Sequence, residues 1–449
     1  MVETPLHRNH DFTVLWVGQT VNLLGTRVSM FVFPLVAYAL TGSALLAGLA
    51  GAAELLGTAL ALLPAGVVAD RVDRRRVLRW AAGSGVVLYA SLVVAVALDA
   101  LTLAHLLVVG VLTGAAAGLF APAENAAIPA VVPTSQLPSA LSRNAARERV
   151  ADLVGGPLGG ALYAVGRAAP FLFDAVTFAL AWVLLGRLRT DLRPTPRTSA
   201  TRGSARRDLI AGFRFVWSRP LFRTLAVWGM GANLAVNAVF VAATLRLVQD
   251  GFPAWQIGLV ETAAGLSGIA GAVVAPRLIA CVRTGRLTVV VAWSFVPLLL
   301  PMVCWSHPAV VAAALALGVF LNPAGNAGIA AYRMSVTPPE LVGRVQSVSQ
   351  FLSWSTMPLA PVLAGALLAG LGGRATVAAL AVLTALVALL PTLSRAVRDV
   401  PRPDAWAAQA DWTGAGGRQR LPAGAQAQPR LEGAAGDRRE PAGAAPGHP

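Results

Sequence analysis

Read for its apolar runs and the residues that break them, the chain divides into twelve blocks. Six lie near residues 12–38, 44–69, 77–98, 102–126, 139–165 and 169–188, and six near 221–245, 255–276, 287–305, 308–332, 342–369 and 373–394. Each is close to or above the roughly 20 residues that a helix needs to cross a bilayer. The pattern therefore predicts an all-α integral membrane protein with twelve transmembrane helices in two halves of six.

The polar intervals give the orientation. Five arginines fall from Arg71 to Arg79, ten from Arg187 to Arg223 and three from Arg277 to Arg286, all after even-numbered blocks. The opposite loops hold single residues, Arg167, Arg246 and Arg374. Because basic loops stay on the cytoplasmic side, both termini are expected in the cytoplasm and the chain in the inner (plasma) membrane. Composition agrees: 56% of the 449 residues are apolar and only 13% charged, with a net charge of +15. Soluble domains carry about a quarter charged residues. The positive charge sits in alternate loops, which topology explains better than contact with nucleic acid. No lysine occurs anywhere, which excludes the lysine-bearing phosphate loop of nucleotide-driven pumps and removes ATP as a partner. Cys281 and Cys304 lie in or beside apolar runs without metal spacing and read as free thiols. Neither a metal cluster nor a nucleophile–base pair is present in the pattern, so neither catalysis nor a cofactor is expected.

Five regions follow. Residues 1–11 form a polar N-terminus, 12–188 one six-helix half, 189–220 a linker, 221–394 the second half, and 395–449 an Ala/Gly/Pro/Arg-rich tail expected to be disordered. Within the linker, Ile210, Phe213, Val216 and Trp217 share a helical face flanked by Arg207 and Arg214, which predicts an amphipathic interfacial helix. The halves are related. PAENAAI at Pro122–Ile128 returns as PAGNAGI at Pro323–Ile329, and each copy ends a block. Duplicated helical units are how two-fold transporters are built, with the substrate path between the halves.

The loop GVVADRVDRRRVL, Gly66 to Leu78, joins the second and third blocks. Its Gly66, Asp70, Arg71 and Arg74 resemble the helix 2–3 loop of the major facilitator superfamily. FTVLWVGQTVNLLG (Phe12–Gly25), LTGSALLAGL (Leu40–Leu49), FAPAENAAIPAVVP (Phe120–Pro133) and PPELVGRVQSV (Pro338–Val348) add to it, as does DLIAGFRFVWSRPLFRTL (Asp208–Leu225), from the linker into the second half. Together they resemble the efflux branch that holds macrolide exporters and the enterobactin exporter. That resemblance implies the major facilitator fold and export of a hydrophobic or amphipathic small molecule in exchange for protons. It departs from related drug/proton antiporters in span 4, where Ala104–Ala121 offers His105 in place of an arginine. An uptake permease on the same fold and a non-transporting scaffold or sensor are the alternatives.

Ionisable residues inside a membrane cost roughly 2.5–3.5 kcal/mol at its centre and are functional candidates by default. Glu54 precedes Asp70 by 16 residues and Glu261 precedes Arg277 by 16, which places each ~24 Å from the cytoplasmic end. Both are candidate proton acceptors; a wet outer vestibule is the alternative. Asp152 shares a helical face with Arg149, three residues earlier, so a local ion pair competes with a proton or substrate site. Arg27, deep in the first span, can face Asp152, Glu54 or an anionic substrate group. Asp174 follows Pro170 near the start of the sixth span and reads as a helix-terminal carboxylate. In Gly155–Gly160, Gly156 and Gly160 allow close backbone approach and Pro157 permits a bend, resembling the span-5 signature of antiporters. Asp70 is expected to latch against the start of span 11, near Val342, helped by Arg71 and Arg74. Trp16, Trp228, Trp293, Trp305 and Trp354 can line a cavity or sit in interfacial belts.

Overall fold

The computed structural model describes residues 6–193, 205–338 and 341–406. Among them there is no strand. The first six blocks become α1 (His10–Thr41), α2 (Ala44–Arg71), α3 (Arg74–Ala97), α4 (Leu103–Val131), α5 (Leu137–Val165) and α6 (Ala169–Gly186). Their starts are set by short polar residues. Asn9, Ser43, Asp73 and Thr102 each accept a hydrogen bond from a backbone N–H two or three residues on, satisfying donors that a helix start leaves unpaired. Gly42 ends α1 at φ 64°, a left-handed turn that glycine adopts without strain.

The linker carries α7 (Ala205–Ser218), and the second half opens with α8 (Pro220–Gln249) and α9 (Ala254–Cys281). Three later spans, expected as continuous, are broken. They form α10 (Thr284–Ser294) with α11 (Val296–Cys304), α12 (Pro308–Phe320) with α13 (Asn322–Ser335), and α14 (Val342–Ser355) with α15 (Leu359–Leu393). Each break sits at a proline, Pro297, Pro323 or Pro358, whose missing N–H and bulky ring interrupt the helical ladder. Gly372, at φ 75°, divides α15 into two rods.

Ten segments among the described residues are long and apolar enough to cross a membrane. The segment from Val342 to Leu393 holds two crossings on either side of Gly372. With α5, whose charged first half hides it from a hydropathy criterion, the spans come to twelve. Val87, Val176, Val273 and Leu386 are exposed on the outside, as befits a surface whose solvent is lipid.

Within the halves, α2 packs on α4, α3 on α6, α8 on α15, and α9 on α12. The halves meet where α2 runs along α15 and α5 along α9. Small residues let these backbones touch. Gly48 lies against the Pro361 carbonyl and Gly365 against that of Ala44; Gly160 and Gly258 do the same between α5 and α9. These contacts use the first turns of α2, α9 and α15 and the last turns of α5. Further along, Gly57 turns to α4 and Gly271 to Phe320 of its own half. The halves thus clasp at the end opposite the arginine-rich loops.

α7 behaves as two faces. Phe215 and Val216 are buried against the second half, while Ile210, Phe213 and Trp217 are exposed; Arg207 is among the side chains outside the described residues. Residues 395–406, expected to begin a disordered tail, are instead tied to the bundle. The carbonyls of Val400 and Pro401 accept from Gly285 and Thr284, and Trp406 Nε1 donates to Pro401 at 3.1 Å. The rest of the tail, 407–449, lies outside the described residues.

Candidate functional site

α5 is the hinge of the site because its glycines alternate between two neighbours. Gly155 and Gly159 face α1, where a Cβ would strike Arg27 and Phe31. Gly156 and Gly160 face α9, where it would strike Glu261 and the Ala254 carbonyl. Spacings of four residues place each pair on one helical face. The run that the sequence marked for close packing therefore holds Arg27 on one side and Glu261 on the other, with Pro157 between them inside an unbroken helix.

Arg27 Nε lies 2.8 Å from Asp152 Oδ1. Arg149, the partner that helical spacing suggested, is 3.8 Å from Asp152 Oδ2 and 77% exposed. Both expected pairings are present, and Arg27 is the nearer because α1 and α5 touch at Gly155.

Glu54 and Asp174 are both sealed inside the first half, 5% and 0% exposed. Asp174 is not a terminal carboxylate. α6 begins at Ala169, and Asp174 accepts a hydrogen bond from Ser29 Oγ of α1. Tyr89 stands beside Ser29, Thr113, Asp174 and Glu54. Phe33 and Phe178 pack on the Tyr89 ring at centroid distances of 6.4 and 5.2 Å, closing the pocket to water. Glu54 Oε2 and Asp174 Oδ1 have no hydrogen-bond partner, and no arginine lies within ion-pair distance of either among the described residues.

A second polar group went unread in the sequence. Arg147 of α5, with 3% of its side chain exposed, reaches Glu124 of α4 at 2.6 Å and Gln19 of α1 at 2.6 Å. Asn144 donates weakly to the same Glu124 at 3.5 Å. The signal was present, since Glu124 is the one carboxylate in PAENAAI. In the second half Arg333 of α13 was likewise missed; it faces a cavity of about 380 Å³ together with Trp228 and Trp354. Trp293 instead donates to Thr392 at 2.9 Å.

At the arginine-rich end, Gly66, Asp70 and Arg71 lie on the last turns of α2, where side chains are outside the described residues. Arg74 starts α3, half-buried. Its neighbours are engaged within their own half. Arg75 donates to the Gly186 carbonyl, and Arg79 lies over the Trp182 ring at 4.8 Å. Asp11 accepts from the backbone of Arg189 at 3.1 Å and of Thr190 at 2.7 Å, fastening the start of α1 to the segment after α6.

Two helical halves clasped at one end around charged interior groups define a multi-pass membrane transporter of small molecules. The Major Facilitator Superfamily model matches residues 15–291, and the chain belongs to that family. It is 28% identical over 375 residues to the multidrug efflux pump Tap of Mycolicibacterium fortuitum, covering 79% of this chain and 88% of that one. It is 29% identical over 336 residues to the enterobactin exporter EntS of Salmonella typhi, covering 73% and 76%. Among solved structures it resembles a bacterial homologue of the human lysosomal transporter Spinster, described as inward-facing and unoccupied. That match has TM-score 0.70 at 15% identity and covers 89% of this chain and 98% of the other. A bacterial homologue of the iron transporter ferroportin, in an inward-facing state, matches with TM-score 0.69 at 16% identity, covering 87% and 99%.

Proposed function

We propose that the chain exports a hydrophobic or amphipathic small molecule, of the antibiotic, siderophore or related metabolite class, by alternating access in exchange for protons. The observation that carries this reading is the pair of carboxylates sealed in the first half, Glu54 and Asp174, each with one oxygen that accepts no hydrogen bond and with no arginine at ion-pair distance among the described residues. A proton is the natural partner of a buried carboxylate that makes no ion pair, and solvation of the group on opening reverses that preference. Glu261 provides a further acceptor where the halves touch at Gly156, so proton binding there can bear on the contact that must open. The names of the two exporters support the direction of transport. Arginine asymmetry supports cytoplasmic termini in the inner membrane. Asp70 supplies the latch that closes the arginine-rich end against the start of α14.

The test is accumulation in inverted membrane vesicles of a fluorescent amphipathic cation and a fluorescent amphipathic anion, with and without a protonophore. Accumulation that the protonophore abolishes, with a pH dependence that Glu54→Gln flattens, is the expected result. Accumulation indifferent to both contradicts proton exchange. The amide-rich cavity of the second half gives the uptake-permease reading a footing, and right-side-out vesicles that load the same probes would favour it.

A further inference from the structure

Three helices of the second half turn one stripe each into a common cavity. α8 contributes Trp228, Gly229 and Asn233; α13 contributes Asn322, Asn326 and Arg333; α14 contributes Gln346, Gln350 and Trp354. Gly229 with Asn233, Asn322 with Asn326 and Arg333, and Gln346 with Gln350 and Trp354 recur at spacings of four or seven, those of a single helical face, and α10 and α15 close the cavity behind them. At about 380 Å³ the space lies within the usual range for small-molecule sites, roughly 300–1,000 Å³.

The chemistry of the wall is one-sided. Among the described residues, no Asp or Glu lines it. Arg333 has no ion-pair partner among the described residues, and its Nε is buried without a hydrogen-bond acceptor. Asn322, Asn326, Gln346 and Gln350 make no side-chain hydrogen bond among the described residues, so their N–H groups are free for a ligand. An arginine with unfilled donors beside free amides suits an oxyanion, because its planar fork meets a carboxylate with two parallel N–H donors. Trp228 and Trp354 give the same wall flat aromatic faces, which suit a planar ring.

We propose that this cavity is a cargo subsite for an aromatic or conjugated acid, whose oxyanion pairs with Arg333 while its hydroxyl or carbonyl groups meet the amides of α13 and α14. The assignment rests on the transport reading only for the direction in which the ligand moves. It also explains why Arg333 has no internal partner, whereas Arg27 and Arg147 of the first half each hold a carboxylate.

Equilibrium dialysis of the full-length protein in nanodiscs against radiolabelled salicylate and salicylamide tests the assignment. The two probes share a shape and differ in charge. Saturable salicylate binding, at least about tenfold tighter than salicylamide, is expected from a charge-assisted contact. Arg333→Gln should abolish that preference and leave salicylamide unchanged, and Arg333→Lys should keep part of it. Equal binding of the two probes, an unaltered preference in Arg333→Gln, or no saturable salicylate binding would each overturn the proposal. Should Arg333→Gln fail to fold, the ratio of the two probes on the unsubstituted protein still decides. No gradient or direction enters this assay, so its failure leaves the vesicle experiment standing, and the reverse also holds.

Discussion

The two halves descend from one pattern and handle charge in opposite ways. In the first, unbroken helices bring charges together inside the protein: Arg27 to Asp152 at 2.8 Å and Arg147 to Glu124 at 2.6 Å. In the second, helices broken at Pro297, Pro323 and Pro358 expose amides and Arg333 to a cavity. The repeated motif shows how small the divergence is. The place of Glu124 in PAENAAI is taken in PAGNAGI by Gly325, which packs against Val291, and the following asparagine, Asn326, lines the cavity. One carboxylate lost from the repeat leaves a space that the first half fills with an ion pair. The lesson is that the repeat kept the helical frame and left the interiors to differ, with ion pairs inside the first half and an arginine among free amides in the second.

The largest effect is expected from breaking the matched half. Arg147→Met strands Glu124 in the interior, and removal of one partner from a buried pair costs about 3–5 kcal/mol. A loss of folded protein, read by thermal unfolding in detergent, should be recovered in the double variant Arg147→Met/Glu124→Met. An unchanged melting curve for the single variant would show that the pair is not internal to the fold.

Next comes the clasp between the halves. Gly160→Leu drives a side chain into the Ala254 carbonyl, and overpacking of this kind costs about 1–3 kcal/mol. Spin-label distances across the arginine-rich end should shorten as the clasp loosens and the opposite state gains population. Distances that stay as they are would mean that the α5–α9 contact does not govern the equilibrium.

Asp70→Asn should be gentler. A latch worth about 1–2 kcal/mol shifts populations roughly tenfold, so transport should fall by about that factor with membrane insertion intact. Full transport in this variant would reduce the loop to a topological signal.

How much of this was legible beforehand differs between the halves as well. Apolar blocks gave the spans, and alternate arginine loops ordered them, because both follow from bilayer physics along the chain. The Gly155–Gly160 run announced close contact, yet which helix met which glycine depended on a fold that spacing does not encode. Asp152 was offered both Arg149, three residues before it, and Arg27 across the bundle; both stand within ion-pair distance, at 3.8 and 2.8 Å, and only the fold decides which is nearer. Arg147 stayed hidden because a charged run at the entry of a span reads as a solvated helix start. Asp174 looked terminal because Pro170 precedes it, but α6 starts at Ala169 and buries it a turn further in. The breaks at Pro297, Pro323 and Pro358 had a visible cause; α1 and α5 carry Pro34 and Pro157 without breaking, so proline alone did not decide.

The division of labour is tested most directly by the pH dependence of vesicle transport in three proteins side by side: unsubstituted, Glu54→Gln and Arg333→Gln. The account predicts that Glu54→Gln flattens the pH profile while apparent cargo affinity is kept, and that Arg333→Gln lowers affinity for an acidic cargo while the pH profile is kept. A Glu54→Gln protein with the original pH profile would contradict it.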